Sequence, residues 1–298
     1  RDLVNLTLVS IPPSGFILPD AMVDILSTLT KLETFDLHFE VRSGTFNHFE
    51  TPQFWTHRTS QRSPALTRVV LPALTTFRFY GNTKYLEDIV SRIDAPLVDR
   101  IVVTFSDELV VVSDLLLLRD FIGRTKIPNG PHRIDTSFSD FDVEISLFQR
   151  KGDVDFKVLI LRIPCPRHAV DSQLSSLVQA CSTFLPRLPS LQLFGIYNSK
   201  HSPPRWQHEV DNTQWMELLR PFTTVKDLVL DEPVVLSVAS SLQELVGKRV
   251  TEMLPTLQNI FLEGCRSSGP VPEGIGKFIA ARELSGCPVT VHRRKTKQ

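Results

Sequence analysis

The stretch Leu71-Pro72-Ala73-Leu74-Thr75-Thr76-Phe77-Arg78-Phe79 decides how this chain of 298 residues is read. Its apolar positions are Leu71, Leu74, Phe77 and Phe79, and the last two alternate as on a half-buried strand. The same phrase returns at Leu3, Leu6, Leu8; at Leu29, Leu32, Phe35, Leu37; at Val98, Ile101, Val103; at Leu188, Leu191, Leu193; at Val225, Leu228, Leu230; and at Leu254, Leu257, Ile260, Leu262. One copy means little, because leucine is common and the spacing is loose. Seven copies, most of them leading into an amphipathic stretch, predict a stack in which no unit buries its apolar edge without its neighbours.

Around these phrases the chain divides into alternating elements. A strand over Leu3 to Leu8 is followed by a Pro12-Pro13 turn, a helix from Pro19 to Thr28 and a strand from Leu32 to Phe39. Residues 40–65, rich in Ser, Thr, Gln, His and Pro, break the rhythm and read as a long insertion. Tyr85, Leu86, Ile89, Val90 and Ile93 share one face of a helix over Lys84 to Ile93, which Ala95-Pro96-Leu97 ends. The next strand is Arg100 to Phe105, and Ser113 is placed to cap a helix running to Gly123.

Residues 133–163 change character. They read as three strands without helices (Arg133 to Phe138, Asp142 to Phe148, Phe156 to Ile163), with a hairpin turn over Gln149-Arg150-Lys151-Gly152 and Asp153. Alternation then resumes with helices at Ser172 to Phe184, Thr213 to Leu219, Val235 to Val246 and Glu273 to Leu284, plus a helical turn around Val250 to Met253. The strands between and after them are Leu191 to Tyr197, Val225 to Asp231, Leu257 to Glu263 and Val289 to Val291. Strands joined by helical crossovers run parallel, and helices on one side bend the sheet because they are wider than strands. The predicted fold is therefore α/β: an irregular leucine-rich-repeat-like solenoid with a curved, mostly parallel sheet and helices on its convex side. It forms one domain over 1–298, with repeats of roughly 25 to 43 residues.

Composition narrows the function classes. Thirty-three basic residues balance thirty-three acidic ones, so no global field attracts a polyphosphate or an anionic bilayer. The basic end (His292, Arg293, Arg294, Lys295, Lys297) reads as a solvated terminus. Cys165, Cys181, Cys265 and Cys287 form no C-x-x-C pair, and Cys165 with His168 lacks a second ligand pair, so the expectation is buried free thiols in a reducing compartment and no metal or cofactor. No stretch reaches about 18 apolar residues, the length a membrane span needs. The chain opens on Arg1 rather than Met, which predicts a piece of something longer.

With these residues in view, the chain resembles the leucine-rich-repeat region of the fungal, mushroom-type F-box and leucine-rich-repeat protein family. The resemblance is carried by Leu6-Thr7-Leu8 through Ile11-Pro12-Pro13-Ser14-Gly15, by Leu26-Ser27-Thr28-Leu29-Thr30-Lys31-Leu32-Glu33, by Val70-Leu71-Pro72-Ala73-Leu74-Thr75, and by Tyr85-Leu86-Glu87-Asp88-Ile89 with Ile93-Asp94-Ala95-Pro96-Leu97. The C-terminal phrases Leu254 through Glu263, Ser268-Gly269-Pro270-Val271 and Ala280 through Gly286 extend it over nearly the whole chain. The resemblance implies that an F-box upstream of residue 1 recruits the adaptor subunit of a cullin-based ubiquitin ligase while the repeats select a protein substrate, in the cytoplasm or nucleus. No F-box is found within the sequence itself.

Enzyme chemistry has little to stand on in the sequence. His201, Trp206, His208 and Glu209 lie in a Pro-rich loop without ligand spacing, and Gly264, Gly269, Gly274 and Gly276 form no phosphate-cradling fingerprint. A hydrolase in the irregular middle would need a G-x-S-x-G elbow, which is missing. Asp36 and His38 share a strand face that Arg78 can join, a cluster that reads better as a recognition patch than as a catalytic dyad.

The residues alternating with the leucines are expected on the face away from the helices. They nominate Asp36, His38, Arg78, Tyr80, Ile160, Arg162, Phe194, Ile196, Val229, Asp231, Phe261 and Glu263 as a protein-binding surface, with Phe194 and Phe261 as anchors. Two outcomes stay open: a partner docks on the apolar row Ile160, Phe194, Ile196, Val229 and Phe261, or loops 40–65 and 198–210 fold over it. The function expected is a non-catalytic protein-recognition module without nucleic-acid or membrane partners. Either it serves as the substrate-binding part of a ubiquitin-ligase adaptor, or it is an interaction scaffold or sensor with no ligase link.

Overall fold

The computed structural model describes residues 2–40, 68–106, 115–127, 130–165, 170–184, 190–199, 212–245, 250–264 and 270–294. They form a mixed α/β protein with seven α-helices among the described residues, divided into two compact units: 1–107 with 114–128, and 108–113 with 129–298. The insertion expected at 40–65, the loop at 198–210 and the Ser113 cap lie wholly or almost wholly outside the described residues.

In the first unit, β1 (Asn5–Ile11) leads through α1 (Pro19–Ser27) to β2 (Thr34–Phe39). A two-residue strand β3 (Val69–Val70) precedes β4 (Thr76–Gly81), and α2 (Thr83–Arg92) ends where β5 (Ile93–Asp94) pairs with β3. Then come β6 (Arg100–Phe105) and α3 (Leu116–Gly123). Strands β1, β2, β4 and β6 are parallel neighbours, in the register Asp36↔Arg78↔Val102 for the last three. The predicted phase holds throughout: Phe35, Leu37, Phe77, Phe79, Ile101 and Val103 are buried on the helix side. There Tyr85 of α2 packs on Phe39 and Phe79, and Phe121 of α3 on Phe77.

Each strand start is set by its neighbour. The Val4 carbonyl accepts from both Glu33 and Thr34 N–H, the Glu33 carbonyl from Thr75 and Thr76, and the Thr75 carbonyl from Asp99 and Arg100. Helix starts are handled individually. Asn82 caps α2 by accepting from Lys84 and Tyr85 N–H. No side chain of its own cap residue closes α3; instead the Glu87 carboxylate reaches over from α2 to accept from Leu117 (3.0 Å) and Leu118 (2.8 Å). An orphan helix end is thus satisfied by the preceding helix.

The second unit begins with β7 (Pro131–Phe138), β8 (Asp142–Lys151) and β9 (Val154–Pro164), an antiparallel meander. The hairpin turn is tighter than predicted. Gln149 to Lys151 remain in the strand and only Gly152 and Asp153 turn, with Gly152 at φ 64°, a conformation glycine adopts without steric cost. After α4 (Val170–Phe184) come β10 (Leu193–Asn198), α5 (Asn212–Leu219), β11 (Asp227–Asp231), α6 (Glu232–Glu244), β12 (Asn259–Glu263), α7 (Glu273–Leu284) and β13 (Thr290–Arg294). Strands β7, β10, β11, β12 and β13 are parallel, and the neighbour-set start recurs at the Gln192 and Lys226 carbonyls. Val250 to Met253 form turns rather than a helical turn. The basic end is not frayed through Arg294: His292, Arg293 and Arg294 are strand.

Cys165 and Cys181 are buried free thiols and Cys287 is a half-buried one. Burial pushes the Cys165 thiol up to about 11 and raises that of Cys181, the reverse of what a nucleophilic thiolate needs.

Candidate functional site

One correction governs the candidate surface. Phe194 and Ile196 do not lie on the face away from the helices: both are 0% exposed, Phe194 is the register partner of Leu228 and Ile134, and its ring stacks 4.0 Å from Phe222. The phrase in this unit is Leu191, Phe194, Ile196 rather than Leu188, Leu191, Leu193. Because side chains alternate with a period of two, that phase slip moved the whole strand to the wrong face. The residues of β10 that face away from the helices are Leu193, Gly195 and Tyr197, so the continuous apolar row does not exist.

What stands there instead is mostly polar. Asp135, Gly195, Val229, Phe261 and His292 run across the strands in one register row, and Ser137, Tyr197, Asp231, Glu263 and Arg294 in the next. Val229 is 2% exposed and Ile160 is buried, so neither presents an open anchor. Phe261 is half-buried, stacked 4.9 Å from the His292 imidazole with the Arg294 guanidinium 3.8 Å from its centroid. Asn259 Oδ1 accepts from His292 Nε2 at 3.1 Å and Asn259 Nδ2 donates to Asp227 Oδ1 at 2.8 Å, which fixes the imidazole's orientation.

The meander adds a second group. Arg133 donates to both Asp135 oxygens (2.8 and 2.6 Å) and lies 4.9 Å over the Phe148 ring, with Lys157 5.7 Å from that ring. Glu144 accepts from Ser146, Lys157 and Arg162; burial pushes its carboxyl up, but these bonds outweigh burial and hold it below the usual range. Asp135 goes the other way, raised by burial despite Arg133, and burial with the nearby Asp135 charge raises the Tyr197 phenol. His132, with Asp155 at 3.3 Å, has its imidazole pushed down by burial.

Gly195 makes this packing possible. A Cβ there would sit 2.4 Å from the Tyr197 ring, 2.7 Å from its hydroxyl and 2.6 Å from Asp135 Oδ1. Gly195→Ala is expected to expel the Tyr197 ring from its place beside Arg133 and to cost about 1–3 kcal/mol, the usual range for forced overpacking. Tyr197 ring resonances and the urea midpoint read it, and an unmoved ring would contradict the assignment.

In the first unit the structure does bring the nominated residues together. His38 Nε2 lies 2.8 Å from Asp36 Oδ1, Arg78 Nη1 lies 3.6 Å from Asp36 Oδ2, and the His38 and Tyr80 rings meet edge to face at 6.0 Å. Asp36 is 7% exposed, and burial raises the Tyr80 phenol. In the second unit Ile160, Arg162, Val229, Asp231, Phe261 and Glu263 keep their predicted face, but Asp231 is occupied structurally, capping α6 and accepting from Asn198 N–H. Arg133, Asp135, Tyr197, His292 and Arg294 were not nominated, although strand alternation alone selects the first two.

Among the described residues no helix is long and apolar enough to cross a membrane, and no group of three His, Cys, Asp or Glu side chains is arranged to hold a metal ion. No family model, no curated protein and no solved structure matches the chain.

Proposed function

We propose that the chain is a non-catalytic protein-recognition module of leucine-rich-repeat type, working inside the cell as the substrate-binding repeat region of an F-box adaptor of a cullin-based ubiquitin ligase. The observation that carries the recognition reading is the pairing of aromatic rings with cations on the face away from the helices, Arg294 on Phe261 and Arg133 and Lys157 on Phe148, with the His292 ring stacked on Phe261 as well. Aromatic residues and arginine dominate the energetics of protein interfaces, and rigid rings lose little entropy on docking. The recurring strand starts set by a neighbour's carbonyl support the repeat reading. The ligase role draws on the family resemblance of the sequence phrases.

The experiment uses the full-length gene product, isolated with its bound proteins from its own cells. The cullin adaptor subunit and a specific protein substrate are expected together. Phe261→Ala is expected to weaken substrate binding by about 2 kcal/mol or more while adaptor binding stays intact. Substrate binding without the adaptor subunit would reject the ligase role and leave the recognition module. A substrate indifferent to Phe261→Ala and to Arg294→Glu would reject the surface.

A further inference from the structure

We propose that β1 is a dimerisation edge, to which a second copy of this chain adds antiparallel about Thr7. The proposal goes beyond the recognition reading and uses a different surface. β1 is an edge strand, and its ladder partner is β2. Because the Val4 carbonyl accepts from Thr34, the backbone groups of Val4, Leu6 and Leu8 turn toward β2 and those of Asn5, Thr7 and Val9 turn outward. All three outward residues are exposed. Leu3 to Ile11 holds no charged residue, whereas β13, also an edge strand, is guarded by His292, Arg293 and Arg294.

The outward groups are self-complementary. In an antiparallel pair centred on Thr7, Asn5 meets Val9 of the second copy and Thr7 meets Thr7, the positions that exchange both backbone hydrogen bonds. Leu6 then stands opposite Leu8. Both point to the helix side, being register partners of the buried Phe35 and Leu37, so the apolar layers of the two copies join on one face. Ser10, at φ 53° in the irregularity between Leu8 and Ile11, limits the pairing to Asn5 through Val9, which is symmetric about Thr7. A two-fold there uses both β1 edges and closes the assembly at two copies.

The helix α1 completes the seam. Its Asp20 pairs with Arg92 of α2, so Leu18 and Ile25, about 150° round the helix, face away from α2 and toward the β1 edge. They are 53% and 44% exposed, and Leu3 and Val9 are 41% and 55% exposed. The strand from Leu3 to Ile11 runs about 30 Å, and sheet plus helix are about 20 Å deep. Two copies therefore bury about 1,200 Å² between them, the lower end of a specific interface.

Sedimentation equilibrium of the full-length gene product, from about 1 to 100 μM, tests the proposal; a monomer–dimer equilibrium with Kd on the order of 10 μM or tighter is expected. Thr7→Pro is expected to weaken it roughly tenfold or more, because it removes a donor that faces outward and takes no bond from the β1–β2 ladder. Thr7→Cys gives a readout independent of stability. The Cα atoms of a hydrogen-bonded antiparallel pair lie about 5.5 Å apart, within disulfide reach. Mild oxidation is expected to yield a covalent dimer that the unmodified protein, with its own cysteines, does not form. A monomer throughout that range, a dimer indifferent to Thr7→Pro, or a Thr7→Cys variant that fails to cross-link would overturn the proposal. A monomer whose β1 amides resist hydrogen exchange would also overturn it, by assigning the edge to another segment of the gene product. Substrate capture through Phe261 is read separately and is unaffected by either result.

Discussion

Replacing Arg282 by methionine is expected to lower the unfolding free energy by about 3–5 kcal/mol, through the buried carbonyls it leaves unsatisfied. Arg282 lies on α7 and is 1% exposed, yet no ion-pair partner faces it among the described residues. Its guanidinium instead donates to four carbonyl oxygens: Cys287 (3.1 Å), Leu257 (3.1 Å), Pro255 (3.3 Å) and Val250 (3.4 Å). Burial lowers its pKa, as desolvation of a cation should. Methionine fills much of the volume but leaves those carbonyls without a donor, and each buried unsatisfied group costs about 1–3 kcal/mol. Lysine keeps the charge and loses the fork, so Arg282→Lys is expected to fall between the two. Urea unfolding measures the series. A methionine variant with an unshifted midpoint would show that the four bonds contribute nothing net.

Gly274→Val is the second large effect, expected at about 2–4 kcal/mol. A Cβ at Gly274 would stand 2.2 Å from the Ala239 carbonyl oxygen and 2.7 Å from its carbon, so α7 meets the backbone of α6 where only hydrogen fits. Backbone cannot rotate away as a side-chain tip can, and the two helices would have to separate. Gly276 supplies the internal control: two residues along the same helix, nothing lies within 4 Å of its Cβ position. Gly276→Ala is expected to be neutral or to stabilise by about 0.5–1 kcal/mol through helix propensity. Equal destabilisation by the two substitutions, followed by thermal melts, would mean that the close approach of α6 and α7 is not what decides the position.

These two residues also show what was legible beforehand. Apolar spacing exposed the strands and their buried side because a sheet covered on one face stamps a period of two on its sequence, and Phe77 and Phe79, like Phe35 and Leu37, bear that stamp plainly. Phe194 was misplaced because leucines at 188, 191 and 193 mimic the phrase one step out of phase, and only the register with Leu228 resolves the ambiguity. Arg282 looked like any charged residue on a helix surface, since nothing local signals four carbonyls contributed by chain 25 to 32 residues earlier and by the turn after the helix. Asp36, His38 and Arg78 were found together because two of them share a strand and the third falls on its neighbour. The Arg133, Asp135 and Tyr197 network was missed because it needs the hole left by Gly195, and an absent side chain carries no periodicity.

The rule that one neighbour's carbonyl fixes where the next strand begins has a bearing on how such a chain can change over generations. Register passes from Asn5 to Thr34 to Thr76 to Arg100 although the intervening lengths differ widely. Alignment is thus stored at the seam between adjacent strands and not in the distance travelled between them. A connecting stretch can gain or shed residues while everything downstream keeps its footing, which leaves those stretches free to vary and the seams under restraint.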